Sequence, residues 1–119
     1  MLEEYEAGNY VIAGGDFNKD LLGDSSAIFD VSNEGYTWAQ PLPEGIIPEG
    51  LTLVSSLDPE APVPSCRNAD MPYTPGETFV LTTDGFIVSD NVTVTACSVI
   101  DEAFACSDHN PVRMSFILN

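Results

Sequence analysis

Tyr10-Val11-Ile12-Ala13-Gly14-Gly15-Asp16-Phe17-Asn18 passes from a short apolar, β-branched segment into two glycines and then two polar side chains two residues apart. The unbroken apolar run predicts a strand buried on both faces. If that strand persists, Asp16 and Asn18 point to the same side at its C-terminal end, because side chains alternate along a strand. Two glycines just before them let a ligand or a second backbone approach closely. An ordinary strand-to-loop turn, with Asx side chains bonding local amides, fits the same residues.

Working outward, residues 1–9 read as the tail of a helix stopped by Gly8-Asn9. Downstream, Ser25 or Ser26 is placed to cap a short helix running through Ile28, Phe29 and Val31. From Pro41 to Gly76 the chain carries all but one of its nine prolines. Leu51, Leu53, Val54 and Leu57 inside that excursion need burial, which predicts a strand over 51–57 and an ordered loop of the kind that is usually functional. Thr78 to Val88 and Val92 to Ile100 read as two strands joined in a hairpin by Ser89-Asp90-Asn91. Val112 to Leu118 reads as a last strand, with Val112, Met114, Phe116 and Leu118 on one face. The order predicts a sheet-dominated α+β fold with one or two short helices.

The 119 residues suffice for a single unit, 1–119. Nineteen acids against three Lys and Arg give a net charge of −16, which argues against a nucleic-acid-coating module, since duplex affinity comes largely from basic side chains. The 44% apolar content separates the chain from disordered acidic tails. No apolar run is long enough to span a membrane. Met1-Leu2-Glu3-Glu4 is acidic where a secretory signal is basic, so the compartment is left open, and a signal or anchor belongs to any preceding segment. Cys66, Cys97 and Cys106 are too few and too scattered for a disulfide framework or a zinc site; they read as plain thiols, with one Cys97–Cys106 bridge as the alternative.

Two further places hold awkward polar groups. Asp84 falls in a segment apolar on both faces, where a carboxylate is costly unless it is paired or reaches water at a sheet end. His109, the only histidine, lies in Ser107-Asp108-His109-Asn110-Pro111. Pro111 cannot donate a ladder bond, so this segment reads as the loop leading into the last strand. There Asp108 and His109 can both turn toward one cleft. A buried Asp on one imidazole nitrogen would fix the tautomer and leave the other nitrogen for a substrate; a packed structural histidine is the plainer alternative.

Taken together, Gly-Asp-Phe-Asn at 15–18, Thr-Asp-Gly-Phe-Ile-Val-Ser at 83–89 and Ser-Asp-His-Asn-Pro-Val at 107–112 resemble, in order and approximate spacing, the C-terminal motifs of the endonuclease/exonuclease/phosphatase family, with its DNase-I-like α/β sandwich. The resemblance implies divalent-metal-dependent hydrolysis of a phosphodiester or phosphomonoester. It gives Asp16 the attacking water, Asn18 the water or a phosphate oxygen, Asp108 a share of a Mg²⁺ or Mn²⁺ site, His109 the scissile phosphate, and Asp84 the partnership of that histidine. Gly85 departs from the larger residue many members carry there, which leaves the substrate class open. Arg67 can reach a phosphate through its bidentate fork or pair with one of many local acids.

Family members are about twice this length, and their early asparagine, metal-ligating glutamate and histidine have no counterpart before Asp16. The chain therefore looks like the C-terminal half of such a domain, with the N-terminal half absent. Weak metal binding and little activity alone are the expectations. An apolar face would then be covered by a second copy, by strand exchange or by a separate N-terminal chain. A small, lipid-derived or sugar phosphoester is expected over nucleic acid. The alternatives are a non-catalytic acidic binding or assembly module on the same framework, and an unrelated acidic β-domain binding Ca²⁺.

Overall fold

In the computed structural model, which describes all 119 residues, the elements in chain order are α1 (Leu2–Glu6), β1 (Ile12–Asp16), α2 (Ser25–Ile28), β2 (Leu51–Val54), β3 (Cys66–Arg67), β4 (Val80–Leu81), β5 (Asp84–Ser89), β6 (Val92–Val99) and β7 (Val112–Leu118). The architecture is a sheet-dominated α+β fold with two short helices. β5 is the middle strand of a three-stranded sheet, antiparallel to β1 on one side and β2 on the other. The register sets Asp16 directly opposite Asp84, so one strand pair delivers two carboxylates to the same end of the sheet. β3 pairs antiparallel with β4, Cys66 opposite Leu81, and β6 pairs antiparallel with β7.

The interior is small and rich in hydroxyl groups. Cys66, Phe79 and Leu81 form its apolar cluster, with Val31, Tyr36 and Ala39 packed against them, and the Tyr36 ring stacks on Phe79 at 4.5 Å. Ser25, Ser65, Thr78, Thr82, Thr83 and Ser89 are buried as well. Buried hydroxyls are tolerated when bonded. The Ser89 hydroxyl, for example, accepts the Val11 amide at 2.9 Å and so ties the segment before β1 to the end of β5.

Several expectations need correction. The hairpin between 78–88 and 92–100 does not form. β5 is already flanked on both edges by β1 and β2, so β6 takes β7 as its partner instead. The 78–88 segment also divides at Thr82-Thr83, where the chain leaves β4 for β5. β1 begins at Ile12 and runs through both glycines to Asp16; it is an edge strand and mostly exposed, not buried on both faces. β2 stops at Val54, short of Leu57.

Neither serine caps α2. Ser25 is its first helical residue, and Asp24 occupies the cap without a side-chain bond. The buried carboxylate of Asp20 organises this turn, accepting the amides of Leu22, Gly23 and Ser25 and the Ser25 hydroxyl at 2.6 Å. On β7, Val112 and Met114 are half-buried, whereas Phe116 and Leu118 on the same face are exposed. The three cysteines are free thiols, and the Cys97–Cys106 bridge is not formed. No helix is long and apolar enough to cross a membrane.

Candidate functional site

The loop that carries His109 is held against β3. The Asn110 amide donates to the Ser65 carbonyl at 2.8 Å, the Arg67 amide to the Asp108 carbonyl at 2.9 Å, and Cys66 and His109 form an isolated antiparallel bridge. Asn110 locks the loop from beneath: its Oδ1 accepts the amides of Glu102 and Phe104, and its Nδ2 donates to the Pro64 carbonyl at 3.0 Å. An apolar side chain at 110 would leave these groups, the buried Phe104 amide among them, without this partner.

So placed, the imidazole meets Asp84. Its Nδ1 lies 2.7 Å from Asp84 Oδ2. An ionised carboxylate only accepts, so Nδ1 carries the proton and Nε2 is left facing outward. The same Oδ2 accepts the Ser65 hydroxyl at 2.8 Å and the Thr83 hydroxyl at 3.1 Å. Ser65 Oγ in turn accepts the amides of Thr83 and Asp84 at 3.0 and 3.1 Å. Asp84 is therefore neither mid-strand nor unpaired; it is the first residue of β5, half-buried, with its charge met by three donors.

Asp16 stands on the other side of the ring, its Oδ2 3.7 Å from His109 Nε2. Its Oδ1 accepts the Asn18 amide at 2.8 Å, an Asx turn, and Asn18 takes a left-handed backbone at φ 52°. The strand thus ends at Asp16, and the turn, rather than strand alternation, sets Asn18 beside it. Asp16, Asn18, Trp38, Arg67, Asp108 and His109 line one cleft of about 300 Å³. An apolar cavity of about 400 Å³ around Phe17, Leu42, Ile46, Leu51 and Ile87 carries no charged side chain.

Burial is the largest single influence on His109 and disfavours the imidazolium. The Asp84 hydrogen bond, followed by the charges of Asp84, Asp16 and Asp108, outweighs it, and the net shift is upward from 6.5. Cys66 Sγ lies 3.7 Å from Nε2 but is no nucleophile, since burial, reinforced by the same three carboxylates against a Thr83 hydrogen bond, pushes its thiol up to about 12.

Of the residues singled out from the sequence, Asp16, Asp84 and His109 converge: one ligand atom from each lies within 4.8 Å of the others, a set that could hold a metal ion. Asp108 lines the same cleft but is not part of that set. Arg67 makes no ion pair with an acid; its Nη1 donates to the carbonyls of Asn68 and Met71. Ser65 and Thr83, the donors behind Asp84, were not legible in the sequence, because nothing in a proline-rich loop marks Ser65 until β3 pairs with β4.

No family model, no curated protein and no solved structure matches the chain. Fold and site together define the class: a small, sheet-dominated α+β protein in which a histidine–aspartate pair faces a second aspartate across an open cleft.

Proposed function

We propose that the cleft is part of a phosphoester-hydrolysing site, and that the chain, inactive alone, is the C-terminal portion of a DNase-I-like domain of the endonuclease/exonuclease/phosphatase type. The observation that supports this most directly is the His109 imidazole, held by Asp84 at 2.7 Å through Nδ1 and turning Nε2 toward Asp16 at 3.7 Å. A protonated Nε2 donates to a non-bridging phosphoryl oxygen and offsets the charge that builds there. Asp16 orients the attacking water and takes its proton as the new P–O bond forms; the ester P–O bond breaks with its electron pair leaving on the alcohol oxygen, which takes a proton from solvent. Asn18, on the same turn, holds that water or a phosphate oxygen.

A Mg²⁺ or Mn²⁺ ion would supply further charge neutralisation. The donor set fits it only in part: Asp84 Oδ2 already serves three donors, so Asp16 and Asp108 are the freer oxygen ligands, and a hard cation wants about six. Weak binding follows, and a micromolar Mg²⁺ signal in titration calorimetry of this chain would contradict it.

The deciding experiment screens bis(p-nitrophenyl) phosphate and p-nitrophenyl phosphate with Mg²⁺ or Mn²⁺. It uses this chain alone and the chain together with any polypeptide encoded upstream of it. Negligible turnover alone, and turnover with the upstream segment that His109→Ala abolishes, is the expected pattern. Turnover indifferent to His109→Ala removes the reading, and so does an upstream-completed protein that leaves both esters intact. The latter would favour the non-catalytic module.

A further inference from the structure

We propose that the open edge of β7 is an interface for a second copy of this chain, the two β7 strands pairing antiparallel about Ser115 to give a four-stranded sheet in the order β6-β7-β7-β6. The inference stands on this ribbon and does not rest on the hydrolytic reading above.

β6 and β7 form a sheet of two strands, and β6 is the only strand that pairs with β7. A two-stranded ribbon is marginal in water; a third strand or a covered apolar face is what makes it stable. Phe116 lies opposite Val94 and Leu118 opposite Val92 on an apolar face, yet Phe116 is 44% and Leu118 49% exposed. Ile117, on the other face, is exposed as well.

The hydrogen bonds at the two ends of the ribbon fix which way β7 turns its backbone. The Ile100 amide donates to the Pro111 carbonyl at 2.8 Å and the Asn119 amide to the Asn91 carbonyl at 3.0 Å, so the odd-numbered residues address β6. Val112, Met114, Phe116 and Leu118 therefore turn their amides and carbonyls to the open side, since these groups alternate along a strand. Natural sheet edges are guarded by prolines, lysines or bulges. Residues 112–118 carry no proline, no lysine and no bulge, and their one charge is Arg113; β6 is broken by a bulge between Val94 and Ala96.

A second copy fits this edge because the strand is complementary to itself. With Ser115 on the two-fold axis, Val112 pairs with Leu118 of the second copy and Met114 with its Phe116. All four outward residues are then bonded, and apolar side chains meet apolar ones. Centring the pair on Met114 or Phe116 leaves one outward residue without a strand partner. On the other face Arg113 falls opposite Ile117 rather than opposite a like charge. All nineteen acids lie outside β6 and β7, so two chains of charge −16 meet along strands that carry no carboxylate. Seven residues of edge span about 24 Å, a contact at the small end of specific interfaces, which sets the expected dissociation constant at micromolar order.

Sedimentation velocity of the intact chain tests this from about 1 to 300 µM, at about 0.15 M salt, where exposed charges more than about 8 Å apart are screened. A monomer passing to a dimer, with no larger species, is expected. Ile117→Lys sets an ammonium opposite Arg113 at both ends of the seam and should weaken the dimer about tenfold. Ile117→Glu meets the same arginine with the opposite charge and should stay within about twofold of wild type. Both replace a side chain that is exposed in the single chain and far from no partner but Thr93 across β6. Ser115→Cys is made in a Cys106→Ser background, which removes the exposed native thiol. It should cross-link under oxidised glutathione, because the central pair is a non-hydrogen-bonded one with Cα atoms about 4.5 Å apart. Thr93→Cys in the same background should not, since the two β6 strands stand three strand spacings apart, about 14 Å.

A monomer at the highest concentration overturns the proposal and leaves the edge to a different chain. Equal loss in Ile117→Lys and Ile117→Glu overturns it too, since that is the mark of apolar contact without a register. Cross-linking of Thr93→Cys as fast as Ser115→Cys, or growth into fibres, places the contact elsewhere and has the same force.

Discussion

Ser65→Ala tests whether the histidine–aspartate pair is built on one hydroxyl. Ser65 is fully buried, and its Oγ makes three hydrogen bonds: it accepts from the amides of Thr83 and Asp84 at 3.0 and 3.1 Å and donates to Asp84 Oδ2 at 2.8 Å. Alanine leaves two backbone donors without an acceptor where water does not reach, and takes one of three donors from a half-buried carboxylate. A stranded buried donor costs about 1–3 kcal/mol. Because one oxygen serves both amides at slightly long distances, the combined cost should be about 3 kcal/mol rather than the full sum.

Domain stabilities run to about 5–15 kcal/mol, so this is a large fraction of the total. With a urea dependence of about 1–3 kcal/mol/M, the midpoint of denaturation should fall by about 1–3 M. Ser107→Ala is the control, since its hydroxyl is exposed, accepting the His109 amide at 3.1 Å and donating to Asp108 Oδ1 at 3.4 Å, and strands no buried donor. It should move the midpoint little. A Ser65→Ala stability within about 0.5 kcal/mol of wild type would refute the reasoning, because that is the range of a neutral surface change.

Asp84→Asn should lower the midpoint at which the His109 ring titrates, read from its single Cε1–H resonance; an unchanged midpoint would mean the Asp84 bond is not what raises it. Because the folded pKa of His109 lies above its unfolded value near 6.5, its contribution to stability is fully present below that pH and is lost as pH rises through the folded value. The urea midpoint of wild type relative to His109→Gln should therefore be higher at pH 6 than at pH 8.5, and a pH-independent difference would count against it. Alkylation by iodoacetamide at pH 8 should reach the exposed Cys106 first and Cys66 last, since burial holds the Cys66 thiol protonated; rapid labelling of Cys66 in the folded chain would contradict its placement.

Strand-forming segments and the polar residues of the site were readable from residue type. Val92 to Val99 and Val112 to Leu118 announce themselves by β-branched and apolar content, and they appear as β6 and β7 almost where expected. Asp16, Asp84 and His109 stand out because each is chemically awkward where it lies. Pairing was not readable. The Ser89-Asp90-Asn91 turn looks like a hairpin locally, but whether β5 pairs with β6 depends on competition from β1 and β2, both distant in sequence. Asn18 was placed beside Asp16 by strand alternation, whereas an Asx turn and a left-handed residue do so in fact.

By itself, the sequence determined the stock of groups: one imidazole, a scatter of carboxylates, three cations and enough β-branched residues for a sheet. Only the tertiary structure decided which of them act together. The register of β1 against β5 sets Asp16 opposite Asp84, and the bridge between Cys66 and His109 brings the ring between them. That bridge also places Ser65 behind the pair and leaves Arg67 without an acid. The physical reason is that hydrogen-bond pairing between strands is a long-range choice among competing edges. Residue type reports a preference for being in a strand, and carries no address for the partner.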